Sequence, residues 1–116
     1  MIKDMNSQML IVEKYERLIH YLYPILQSIP RKHGIARNMV LEELLSVPST
    51  MIIAGKTRQV SKLYLIDAQL STLRYWMRFL VVKKCMTSHQ EQTAQAIMSE
   101  VGSILGAWIK SKKLQG

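Results

Sequence analysis

Few residues of this chain have both the type and the spacing that chemistry needs. Cys85 and His89 stand four apart, a spacing that could pair a thiol with a base or begin a metal site. A helix break falls between them, and no further ligand or orienting carboxylate follows. Cys85 therefore reads as a loop or helix-end thiol, and His89 as a first-turn residue of the last helix. His20 and His33 are remote from both, and His20 lies one turn after Glu16 on an outer face. Gly55, Lys56 and Thr57 match the end of a phosphate-binding loop. The full motif needs a Gly five positions earlier and a preceding strand, but position 50 is Thr and the segment before it is helical in pattern. Asp67, Ser71, Arg74 and Arg78 fall at i, i+4, i+7 and i+11 and so form one polar line. That line faces water, a subunit interface or a nucleic-acid groove, and an Asp67–Arg74 pair across two turns is within its reach. Glu13 and Arg17 have the i, i+4 spacing of a surface ion pair. No nucleophile–base pair and no ligand cluster emerges, so the sequence predicts no catalysis, no metal and no cofactor.

The elements that position these residues are helices. Ile11, Tyr15, Leu18, Leu22, Ile25 and Ile29 step by four and three, with Val12, Ile19 and Leu26 widening the stripe. Val40, Leu44, Val47, Met51 and Ala54 repeat the pattern. So do Leu63, Ile66, Leu70, Leu73, Met77 and Leu80, and then Ala94, Ile97, Val101, Ile104 and Trp108. Such spacing sets each group on one helix face. Helices are expected near residues 7–28, 36–54, 58–83 and 89–112 of a single domain spanning residues 1–116. Pro30 and Gly34 punctuate the first connection. Gly55 is expected to take the left-handed conformation after the second helix, with Thr57 capping the third. Ser88 with Glu91 forms a capping box for the fourth, with Thr87 as a rival cap. Pro24 and Pro48 fall inside helical patterns that continue in phase, so each is expected to kink its helix. Short connections favour an all-α, antiparallel up-down-up-down four-helix bundle.

That topology distributes the charge. Sixteen Lys and Arg against eight Asp and Glu give +8 over 116 residues, an excess that suits a polyanionic partner. Arg31, Lys32, Lys83 and Lys84 gather at one end. Lys56, Arg58 and Lys62 gather at the other, with Lys3, Lys110, Lys112 and Lys113. Arg37, Arg74 and Arg78 complete the candidates for contact with nucleic acid or a protein that handles it. No exposed aromatic platform is expected beside either cluster. Tyr64, Tyr75, Trp76 and Phe79 crowd the third helix. They read mainly as core, or as anchors of a subunit contact that would include Tyr75 and Phe79. Gly102 and Gly106 each cost roughly 1 kcal/mol of helix propensity. Close approach of a neighbouring helix, in this chain or another subunit, would offset that. With a single cysteine, no h-region after Met1 and no apolar run of about 18 residues, the expected location is the cytoplasm, away from membranes.

Three runs are more specific than any heptad pattern. QMLIVEKYERLIHYLYPILQSIPRKHGIAR covers Gln8–Arg37, AGKTRQVSKLYLIDAQLSTLRYWMRFL covers Ala54–Leu80, and MTSHQ-x-x-TAQ with EVGSILGAWI covers the last helix. In register over nearly the whole chain, they resemble the accessory variability determinant (Avd) proteins of diversity-generating retroelements. That resemblance implies a four-helix bundle assembled as a basic homopentameric barrel. It also implies binding of RNA and DNA with little sequence preference, and association with the retroelement's reverse transcriptase. The accessory protein would support mutagenic cDNA synthesis and retrohoming without itself being a catalyst. Two alternatives are a bundle of the family encoded in ribosomal-RNA intervening sequences and a protein-only interaction bundle.

Overall fold

Each apolar seam folds as one long helix in the computed structural model, which describes the backbone of residues 2–115 and the side chains of residues 6–114. Lys3, placed by sequence at the second basic end, has its side chain outside the described residues. The helices are α1 (Ile2–Gln27), α2 (Gly34–Thr57), α3 (Val60–Val82) and α4 (Ser88–Gln115), with a turn of 3-10 helix at Arg31–His33. Among the described residues there is no strand. α1 begins earlier and α4 ends later than their apolar stripes do, because polar residues extend a helix that packing has already nucleated.

α1 packs on α2 and α4, and α3 packs on the same two, while among the described residues no Cα atoms of the diagonal pairs come within 8 Å of each other. This is the square section of an antiparallel bundle whose consecutive helices are neighbours. Its extents of 48 × 22 × 19 Å are one helix long and two helices wide.

The stripes of α2 and α3 are buried as the periodicity predicts, from Val40 to Ala54 and from Leu63 to Leu80. Two stripes are rotated slightly. Leu26 rather than Ile25 closes the core in α1, and Met98 and Leu105 replace Ile97 and Ile104 in α4. Both α4 pairs fit a step of three or four, and the isoleucines pack on the border of the core instead. Each fully buried Leu contributes roughly 1.5–3 kcal/mol to stability.

Both prolines lie inside their helices, which run on past them. Pro48 has no N–H to give the carbonyl of Leu44, four residues back. The buried Tyr15 hydroxyl of α1 donates to that carbonyl at 2.6 Å, so the side chain of one helix supplies the hydrogen bond missing from the next. Burial, and next the charge of Glu43, holds the Tyr15 phenol well above its ordinary pKa of 10.0.

Three cap expectations are corrected. α2 runs through Gly55 to Thr57, and Arg58 takes the left-handed conformation, φ 59°. Its N–H bonds Ala54 O at 3.0 Å, which closes the helix with an αL motif. Gly55 serves close packing instead, because the Gln8 side chain of α1 occupies the space its Cβ would need. Thr57 turns back to donate to Ile53 O at 2.7 Å rather than capping α3, which starts after extended Gln59. At α4 the rival cap holds. Thr87 Oγ1 accepts from Gln90 N–H, and Gln90 Oε1 accepts from Thr87 N–H, both at 3.0 Å. This is a reciprocal capping box made one residue before the Ser88–Glu91 pair.

α3 ends in a Schellman motif. Cys85 N–H bonds Leu80 O at 2.8 Å and Lys84 N–H bonds Val81 O at 3.0 Å. Lys84 takes the left-handed position of that motif, φ 61°.

Candidate nucleic-acid interface

The first and third connections meet at one end of the bundle. Ile25 and Ser28 share a cavity of about 460 Å³ with Lys84, Cys85, Met86 and Thr87, so Arg31, Lys32, Lys83 and Lys84 belong to one surface. All four are exposed. None makes an ion pair among the described residues, and Lys83 sits over the Phe79 ring, 5.8 Å from its centre. At the other end, Lys56 of α2 and Lys62 of α3 flank Arg58 in the second connection, beside the last turns of α4 with Lys110, Lys112 and Lys113.

Between the ends, ion pairs form. Lys14 and Arg17 of α1 converge on Glu100 of α4 at 3.4 and 3.6 Å. Arg17 thus pairs across the helix interface and not with Glu13, a choice set by how α1 and α4 are rotated against each other. His20 faces Glu16 at 3.6 Å, as its spacing suggests. Such exposed pairs are worth little in stability, and they leave Arg31, Lys32, Lys83 and Lys84 as an exposed cluster at the first tip, without ion pairs among the described residues.

Arg37 differs from the other basic candidates. Its Nε donates to Asn38 Oδ1 at 3.2 Å and its Nη1 points at Ile29 O, 3.5 Å away. It braces the first connection from the start of α2. Arg74 lies against α4, where a Cβ on Gly102 would stand 3.8 Å from its Nη2. Arg78, one turn on, is exposed. Asp67 makes no ion pair among the described residues, so the Asp67–Arg74 pairing is not formed. Gly106 is exposed, and a Cβ there would meet nothing within 4 Å. Close approach within this chain therefore does not account for either glycine.

The aromatics of α3 divide between outward and groove-lining positions. Tyr75 is 57% exposed and points outward, with Tyr64 and Val82 on the same face. Trp76 and Phe79 are half-buried and packed edge to face at 5.5 Å. They turn toward α2, where a groove of about 430 Å³ is lined by Arg31, Lys32, His33, Gly34, Ile35, Ala36, Met39, Trp76 and Phe79. An aromatic surface thus does accompany the first basic cluster, contrary to the expectation from sequence. Trp76 and Phe79 flank the buried stripe of α3 on its α2 side, and Ile35 and Met39 fall outside the α2 stripe. That pairing of off-stripe apolar residues just after Arg31 and Lys32 was the signal to follow.

Among the described residues, no group of three or more His, Cys, Asp or Glu is placed to hold a metal ion, and no helix is long and apolar enough to cross a membrane. The described residues form an elongated bundle with two cationic tips, one of them beside an aromatic groove. No curated protein matches the chain. A family model described as bAvd-like matches residues 9–112, which take in most of all four helices. On that match the chain belongs to the bAvd-like family, the one its sequence motifs resemble.

Proposed function

We propose that this protein is a non-catalytic accessory subunit of a diversity-generating retroelement. It binds template RNA and cDNA through phosphate contacts and associates with the element's reverse transcriptase, supporting mutagenic cDNA synthesis and retrohoming. The observation that carries the reading is the gathering, at one tip of a bundle of this family, of four exposed cations that make no ion pair among the described residues. Arg31, Lys32, Lys83 and Lys84 stand free of carboxylates, as residues that neutralise phosphates must. The long, mid-bundle surface would remain for protein contacts.

The working assembly is a homopentamer in the cytoplasm. A ring requires two different patches on each subunit, because its contacts run head to tail. The outward apolar face of α3 around Tyr75 and the bare strip of α4 at Gly102 and Gly106 fit that need. The Arg74–Arg78 line separates them. Five copies would carry about +40 on one particle, enough to hold many phosphates.

The test is a titration at several salt concentrations with RNA and DNA of unrelated sequence. Affinity should fall with salt at a log–log slope of roughly −0.7 to −0.9 per phosphate neutralised. Replacing Arg31 and Lys32 with Gln should weaken all sequences alike and flatten the slope by about one unit per lost contact. Salt-insensitive binding, or none at low salt by the folded protein, would leave a protein-only bundle as the better reading. For the polymerase contact, reversing charge at Arg74 and Arg78 should lower cDNA synthesis with helical circular dichroism unchanged. Normal synthesis by that folded variant would take the line out of the functional surface.

A further inference from the structure

We infer that the groove between the start of α2 and the end of α3 seats an unpaired base of a single-stranded nucleic acid, with the adjoining phosphates held by Arg31 and Lys32. This rests on the nucleic-acid reading above and adds to it a preference for single strands.

The groove encloses about 430 Å³, within the range of small-molecule pockets, roughly 300–1,000 Å³. Its interior is apolar and aromatic, made by Trp76, Phe79, Met39 and Ile35, while Arg31, Lys32 and His33 line it where the first connection enters α2. No carboxylate lines it. A flat, polarisable ring beside a negative charge is complementary to that combination, and a nucleotide carries both. Aromatic side chains beside a cationic track are the means by which single strands are held, since every base has a π-face to stack.

The ring positions are stabilised before any ligand arrives. Trp76 packs edge to face against Tyr75 at 5.2 Å and against Phe79 at 5.5 Å, and Lys83 covers Phe79. Ile35 is 81% exposed and Met39 47% exposed. Their burial by a base is an apolar gain that a phosphate contact alone would not supply. A base inside a duplex is stacked on both faces and cannot enter. The cationic tips serve duplex and single strand alike, whereas the groove serves only the single strand.

The experiment uses the full chain labelled with 5-fluorotryptophan. It has two tryptophans, Trp76 in the groove and Trp108 in the core, so ¹⁹F spectra give two signals, assigned with Trp76→Phe. Adding an oligouridine should shift the Trp76 signal and leave that of Trp108 in place. A blunt-ended two-strand duplex with the same number of phosphates should bind and shift neither. Phe79→Leu keeps the groove apolar but removes a ring. It should weaken the oligouridine roughly tenfold, leave duplex affinity and the salt slope unchanged, and keep wild-type circular dichroism. If both ligands bind equally and the Trp76 signal stays still, phosphate binding stands and the groove assignment falls. If neither binds at low salt, the nucleic-acid reading fails and the groove with it. A Trp76 signal that moves on diluting the protein, and not on adding oligouridine, gives the groove to a second copy and also overturns the assignment.

Discussion

Pro48 leaves Leu44 O without its helical donor, and Tyr15 answers from the neighbouring helix at 2.6 Å. Tyr15→Phe should cost about 1–3 kcal/mol, the usual penalty for a buried carbonyl left unpaired. In a Pro48→Ala background the residue-48 N–H can donate instead, so the same change should cost about 1 kcal/mol less. A double-mutant cycle by urea unfolding measures the coupling, and equal costs in both backgrounds would refute the substitution of one donor for the other. Alkaline pH offers a second reading. The phenol is held above 10.0 in the fold, by burial first and by Glu43 next, while the unfolded phenol ionises near 10. Its contribution is therefore whole below about pH 10 and declines as pH rises toward the folded value, at about 1.4 kcal/mol per unit. Tyr15→Phe should lack that decline, a difference visible in unfolding midpoints compared at pH 9 to 11.

At the level of elements, the start of α4 rests on a pair of side chains closer than hydrophobic pattern can resolve. Thr87 and Gln90 exchange hydrogen bonds, while Ser88 lies inside the helix. Thr87→Ala should cost about 1 kcal/mol, and Ser88→Ala should be close to neutral. Thermal unfolding of the two variants decides between them, and a larger loss at Ser88 would return the cap to the Ser88–Glu91 box. In α2 and α3 one row of four-and-three steps runs unbroken, and it is the row that is buried. α4 has two, and its choice of Met98 and Leu105 over Ile97 and Ile104 depends on how it is rotated against α1 and α3. The end of α2 was hidden for a different reason. A left-handed arginine has no sequence signature, whereas Gly55 has one that packing against Gln8 took for another purpose. The basic tips were legible from topology alone. The groove beside one of them was not, since it is assembled from residues of α2 and α3 about 40 positions apart.

For the whole molecule, the glycines of α4 separate folding from assembly. In the protomer, Gly106 opens on empty space and Gly102 on the end of a flexible Arg74 side chain. Gly106→Leu should therefore leave the single bundle folded, and raise its helix stability by up to about 1 kcal/mol. If the bare α4 strip is a subunit contact, the same change overpacks that contact by about 1–3 kcal/mol, and light scattering should show a smaller particle at micromolar concentration. Circular dichroism and light scattering together make the test. An unchanged particle would remove this strip from the interface, and a lost helical signal would mean that the space seen in the protomer is not available.

Two helix ends, at Arg58 and Lys84, put a long basic residue in a conformation that an L side chain adopts at a cost of roughly 1–2 kcal/mol and glycine adopts freely. Lys84 closes a complete Schellman motif, the position where glycine is most at home. A chain selected for durability alone would carry glycine there. Lys84→Gly should accordingly raise the melting temperature while weakening the grip on polyanions. Both can be measured on one preparation, by thermal unfolding and by a salt titration with oligouridine. A variant that gains stability and loses no affinity would mean that the strain at this tip serves some other end. The opposite result would make Lys84 a compromise between endurance and activity, written in one backbone angle.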